Sequence, residues 1–149
     1  MKNLFTFTKY KNKKMKKLLS INYSTTAFNI AMLLHRLVFG ILMMSHGYNK
    51  LVHFSEEKAE FMNFMGMGST FSLLLVIFAE FFCALFITIG LFTRLTVVPL
   101  VICMAVALFK THEGDIMGEG SSATLYLSAY VLLLLVGTGK ISVDGLAGK

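Results

Sequence analysis

The residues able to do chemistry in this chain are few, and most fall into one pattern. His46, Lys50 and His53 follow one another at i, i+4 and i+7, so in a helix they share a face, with Asn49 beside them. Glu80 is a lone carboxylate inside a long apolar run. His112 and Glu113 close a second apolar run, and Tyr126 and Tyr130 lie one helical turn apart in a third. Brought together, these groups would form a polar pocket of His46, Glu80 and His112, with Lys50 and Tyr126 near it. Histidine and tyrosine donors under an apolar cover suit a quinone headgroup. A haem would need two axial histidines, for which His46 and His112 are the sensible pair. A divalent metal would take His46, His112 and Glu80. No H-E-x-x-H spacing supports that, and neither haem nor metal is expected. The plainer alternative is that Glu80, His46 and Arg36 form a satisfied network that locks helices together.

The elements that must position these groups are membrane helices. The chain has 56% hydrophobic and 15% charged residues, against about 25% charged in a soluble domain. Apolar segments run over 28–52 (FNIAMLLHRLVFGILMMSHGYNKLV), 71–92, 95–112 and 122–138. Each is close to the ~20 residues that cross ~30 Å of hydrocarbon. The expected fold is all-α, an integral membrane four-helix bundle over 28–149 preceded by a basic tail over 1–27. Pro99 is expected in the first turn of the third helix, where its missing N–H costs little. The outer loop 54–70 is expected to hold a short interfacial helix. In it Phe54, Phe61, Phe64 and Met65 form an apolar stripe, and Gly66 and Gly68 turn the chain back.

The formal net charge is +6, but seven of the fourteen Lys and Arg residues lie in the first seventeen positions. The charge is a tail facing anionic lipid rather than a nucleic-acid surface. Adding Arg94, Lys140 and Lys149 to that tail puts ten cations on one side. The other side has Lys50, Lys58 and Lys110 diluted by six acids. The positive-inside rule then places both termini in the cytoplasm, in a multi-pass protein of the inner membrane. A cleaved signal peptide is not expected, because the first apolar stretch is too long and no A-x-A-like site follows it. Cys83 and Cys103 lie in apolar runs without a C-x-x-C motif and read as buried hydrophobic thiols.

An ionisable group inside a span needs a partner or a job. If Val52 and Phe71 mark the outer edge, a rise of about 1.5 Å per residue puts His46 roughly 9 Å down, Glu80 roughly 14 Å and Arg36 about 24 Å. His46 is then the expected partner of Glu80, with Arg36 second. Burial disfavours an ionised Glu80 unless a cation is close. His35 reads as an anchor near the inner interface. Gly40 and Gly47, spaced by seven, would let another helix approach closely.

With these residues in view, the chain resembles the DoxX family of small bacterial four-span membrane proteins. The resemblance runs from about Arg36 to Asp144. It includes Arg36 with Gly40, His46-Gly47 followed by Lys50-Leu51, Ala79-Glu80, and the Gly90-Leu91-Phe92-Thr93-Arg94 turn. It continues through His112 and Gly139 to Ser142-Val143-Asp144, with Val143 where the family pattern usually has Leu. The basic tail before residue 28 is not part of it. DoxX-like proteins include a subunit of an archaeal thiosulfate:quinone oxidoreductase and members linked to membrane oxidoreductase complexes and to thiol or oxidative stress. The resemblance therefore implies a subunit or accessory of a quinone-linked membrane oxidoreductase, with a membrane or extracytoplasmic redox protein as partner. A fold does not by itself fix a reaction, and the chain has no motif for flavin, nicotinamide or iron–sulfur binding.

Two other functions fit the same residues. One is a small proton-coupled transporter. Small multidrug exporters carry their essential Glu in the first span, whereas Glu80 is in the second, which counts against that kinship. The other is a structural assembly factor without a ligand. Four short spans make a minimal bundle, which also favours a homo-oligomer or a larger complex.

Overall fold

In hydrocarbon every backbone N–H and C=O must be satisfied within the chain, so long apolar runs fold as helices. A computed structural model of the chain describes residues 21–148. The lysines of the basic tail, Lys2 to Lys17, lie outside the described residues. Among the described residues the protein is all-helical. Helix α1 is Thr25–Val52, α2 is Phe54–Glu60, α3 is Ser69–Ile89, α4 is Thr93–Thr111, α5 is Ser121–Val136 and α6 is Val143–Leu146. Helices α1, α3 and α4 are long and apolar enough to cross a membrane, which makes this a multi-pass membrane protein. Helix α5 is also apolar but has only 16 residues. The apolar surface turns outward as lipid demands: Leu34, Val38 and Ile41 on α1, Ile102 on α4 and Leu135 on α5 are all exposed.

The interior is built by α1 packing along α3, α3 against α4, and α4 along α5. Leu73 and Ile87 of α3, Val97 and Leu100 of α4, and Tyr130 and Leu133 of α5 fill it. Helix α5 is fastened back to α1 by two polar ties. His35 Nε2 meets the Ala129 carbonyl at 3.0 Å, and the Tyr130 hydroxyl donates to the Phe39 carbonyl at 3.2 Å. His35 thus faces the neighbouring helix, not the membrane surface.

Close approach of α1 and α3 depends on Gly40 and Gly47. A Cβ on Gly40 would lie 2.2 Å from Thr88 Oγ1, and one on Gly47 would lie 2.6 Å from the backbone N of Phe81. At Gly47 the clash is with backbone and can be relieved only by moving a helix, whereas at Gly40 it falls on the Thr88 side chain.

Two stretches depart from α-helical winding. Helix α3 passes through a π-helical segment at Phe78–Cys83, and α4 ends in another at Ala107–Thr111. Nothing in the apolar pattern predicts them.

The turns are set by local chemistry. Gly90 closes α3 with a left-handed φ of 75°, and the N–H groups of Gly90 and Leu91 both donate to the Phe86 carbonyl at 2.9 Å. Asp144, far along the chain, returns to cap α4. Its carboxylate accepts from the N–H groups of Phe92 at 3.0 Å and Thr93 at 3.1 Å. This cap starts α4 at Thr93, which makes Pro99 the seventh residue of the helix, in its second turn. In the loop after α1 the expected short helix forms as α2, followed by a 3-10 turn at Phe64–Gly66. Phe54, Phe61 and Phe64 are half-buried there. Met65 leaves the stripe, because its φ of 53° swings it outward to 82% exposure.

Substituting Gly47 by Val forces α1 off α3. We expect a loss of about 1–3 kcal/mol, the usual cost of overpacking. Unfolding of the detergent-solubilised protein would measure it.

Candidate functional site

The site is built around Glu80, which lies in the π-helical segment of α3 and is only 5% exposed. A π segment holds its residues at a different angular spacing from α-helix, and such segments recur at functional positions. Gly47 lets α1 rest against the backbone at Glu80 and Phe81, so these positions lie at one level. Lys50 is one turn further along α1. Helical side chains lean toward the helix N-terminus, which directs the Lys50 chain back toward Glu80. Lys50 Nζ meets Glu80 Oε2 at 2.8 Å, with the two side chains 23% and 7% exposed. The second carboxylate oxygen, Oε1, has the Cys103 thiol of α4 at 3.9 Å. Three helices thus converge on one carboxylate.

Glu80 is therefore paired with Lys50, and not with His46 or Arg36 as the depth estimate implied. Val52 and Phe71 do not mark one level, because Gly47 lies level with Glu80. The lean of the long Lys50 side chain then closes the remaining distance. His46, about 100° round the helix from Gly47, turns toward α5. Its ring meets Tyr126 edge-on, with centroids 6.0 Å apart and planes at 88°. Tyr126 in turn stacks on Tyr130 at 6.1 Å and meets Phe39 edge-on at 6.0 Å. His46 is exposed and Tyr126 half-buried.

His112 closes α4 through its backbone N–H, which donates to the Ala107 carbonyl at 3.1 Å. Its ring is half-buried, and among the described residues no hydrogen bond joins it to Glu80 or His46. His53 bonds the Asn49 carbonyl at 3.0 Å on an exposed surface. Among the described residues no group of three or more His, Cys, Asp or Glu side chains is arranged to hold a metal ion.

Arg36 belongs to the opposite end of the bundle and is 1% exposed. It neither reaches Glu80 nor snorkels to the surface. Its Nη2 donates to the Ile141 carbonyl. Its guanidinium lies over Gly90, where a Cβ would come within 1.9 Å of Nη1. Among the described residues, Arg36 Nε and Nη1 are buried without a hydrogen-bond partner, as is Thr93 Oγ1. The same corner holds Asn29, whose side-chain oxygen accepts from the Lys140 N–H at 2.8 Å.

The chain matches the DoxX family over residues 31–113, more than half of its length. It belongs to the DoxX family. No curated protein and no solved structure matches it. The matched region of this DoxX protein contains Arg36, Gly40, Gly47 and all three members of the Lys50–Glu80–Cys103 contact, and it ends at Glu113, beside His112. Tyr126, Tyr130 and Asp144 lie beyond it. In the sequence Cys103 has no signal that sets it apart from a buried hydrophobic thiol. Only the packing of α4 on α3 brings it to the carboxylate.

Removing one partner of a buried pair leaves the other charge uncompensated, whereas removing both need not be costly. We expect Lys50→Met alone to destabilise this DoxX protein by about 1–3 kcal/mol, the cost of an unsatisfied buried group. Combined with Glu80→Gln, the loss should be clearly smaller than the sum of the two single losses. A double-mutant cycle by unfolding in detergent would read the coupling.

Proposed function

We propose that this DoxX protein is a membrane subunit or accessory of a quinone-linked oxidoreductase system, and that the group around Glu80 receives the quinone headgroup. The observation that carries this reading is the convergence of Lys50, Glu80 and Cys103 inside apolar helices, and the His46–Tyr126 ring contact between α1 and α5 adds support. A quinone needs hydrogen-bond donors at its carbonyl oxygens and an apolar surround for its ring and tail. Lys50 and Tyr126 supply donors, and Glu80 can take up or release the proton that accompanies quinol oxidation or quinone reduction. A partner, a membrane or extracytoplasmic redox protein, gives the electrons for quinone reduction or accepts those released by quinol oxidation. His112 belongs to the rim of this pocket in our reading, one step removed from Glu80.

The topology follows the same proposal. Helices α1, α3, α4 and α5 form a four-span bundle over residues 28–149, with both termini and the basic tail 1–27 in the cytoplasm of a cell bounded by this inner membrane. Helix α5 rises about 24 Å, and the chain at Gly137–Lys140 completes its crossing. Helix α2 lies at the outer interface. A second copy of the chain or a partner subunit covers part of the apolar surface.

The test is direct. The full chain, purified in mild detergent, carries bound quinone detectable by solvent extraction and mass spectrometry, and it binds an added short-chain benzoquinone. Lys50→Met and Tyr126→Phe each weaken binding roughly tenfold, the equivalent of one lost hydrogen bond. Protein free of quinone that also ignores the added analogue would remove the reading.

The ion pair in a π-helical segment favours a second reading, a proton-coupled carrier in which Glu80 alternates between Lys50 and a proton. Reconstituted vesicles would show proton-linked flux that Glu80→Gln abolishes. Flux that survives this change would exclude Glu80 from the mechanism.

A further inference from the structure

A cleft of about 1000 Å³ opens where α1 begins, α4 begins and α5 ends. Its walls combine two cations, Arg94 and Lys140, with the apolar side chains of Phe28, Phe92, Leu95 and Val136. Both cations are exposed, and among the described residues neither side chain has an ion-pair partner, the one salt bridge there being Lys50–Glu80. The acid in the wall, Asp144, is already engaged by the N–H groups of Phe92 and Thr93.

Two further features favour an anion. Thr25 of α1 lines the cleft, and Ser24 before it caps no N–H with its side chain. The positive end of a 28-residue helix therefore borders the same space. Arg94 is seated over Gly137, where a Cβ would lie 3.7 Å from its Nε and Nη2, so its guanidinium rests against the end of α5. The cleft also sits where the apolar helices end, the level at which a bilayer places its headgroups. Unpaired cations beside aromatic and aliphatic surface, at that level, match a molecule with a phosphate at one end and hydrocarbon at the other.

We propose that this cleft binds an anionic phospholipid. Arg94 and Lys140 hold the phosphodiester, with the guanidinium supplying paired donors, and Phe28, Phe92 and Leu95 receive the glycerol and the first acyl carbons. This site is separate from the Glu80 group, which lies mid-way along α3, roughly 15 Å of helical rise from the α3–α4 turn.

Native mass spectrometry of the full chain, released from detergent in the presence of phosphatidylglycerol or phosphatidylcholine, tests the assignment. The anionic lipid should be retained roughly tenfold or more over the zwitterionic one, and Arg94→Gln or Lys140→Gln should each weaken its retention roughly fivefold. The double variant should hold the two lipids alike. Arg94→Lys, which keeps the charge, should retain most of the preference, which separates loss of charge from loss of fold. Equal retention of both lipids by the native chain would overturn the proposal. So would an undiminished preference in the double variant, which would assign the effect to the lysine tail. Displacement of the lipid by millimolar inorganic phosphate would point to a soluble phosphate ligand and overturn the lipid assignment.

Discussion

A carboxylate surrounded by apolar helices must be neutralised or given a cation, and the rest of this structure is arranged around how Glu80 meets that demand. The cation comes from Lys50, at 2.8 Å. That contact requires α1 and α3 to touch backbone to backbone, which only a glycine at position 47 permits. It also requires Glu80 to reach both α1 and α4, and it does so from within the π-helical segment Phe78–Cys83. The thiol of Cys103 then completes the carboxylate's surroundings from the third side. Helix spacing, helix winding and side-chain reach all serve the same oxygen atoms.

The opposite end answers a different demand with different means. Arg36 is buried and far from Glu80, so its charge is met by backbone carbonyl and by the field of Asp144. Asp144 at the same time caps α4, and its own backbone N–H donates to the Gly90 carbonyl at 2.9 Å. Gly90 is needed twice over, for its left-handed φ and for the room that the guanidinium fills. A short segment after α5 thereby fastens the α3–α4 turn, and around Arg36 the helices are tied by polar contacts where the middle is held by packing. One polar group sits near each end of the apolar stack, and the ties from His35 and Tyr130 hold α5 to α1 between them.

Much of this was legible in the residues. Apolar runs of the right length marked α1, α3, α4 and α5 to within a few positions, because the bilayer allows such runs little other than helix. The spacing of Gly40 and Gly47 marked the close face of α1, since small residues seven apart on a helix leave one groove. What escaped was everything that depends on relative height. Counting residues inward from assumed ends gave Glu80 the wrong partner, as two helices need not begin at one level. The π segments have no composition of their own, and they shift angular position without changing hydrophobicity. Cys103 and Asp144 act through residues 23 and more than 50 positions away, and no local pattern carries such pairings.

The π-helical segment has a consequence for how this chain can change over time. Such a segment contains one residue more than an α-helix needs for the same run of hydrogen bonds. Losing a single residue between Phe78 and Cys83 would leave α3 continuous and still long enough to span. Everything on one side of the deletion would nevertheless be rotated by about 100° relative to the other. Elsewhere in α3 a deletion tears the packing; here it acts as a dial that turns Glu80 away from Lys50 while sparing the scaffold. Length variation at this one place is thus a route by which relatives of the same architecture can keep the helices and discard the buried pair.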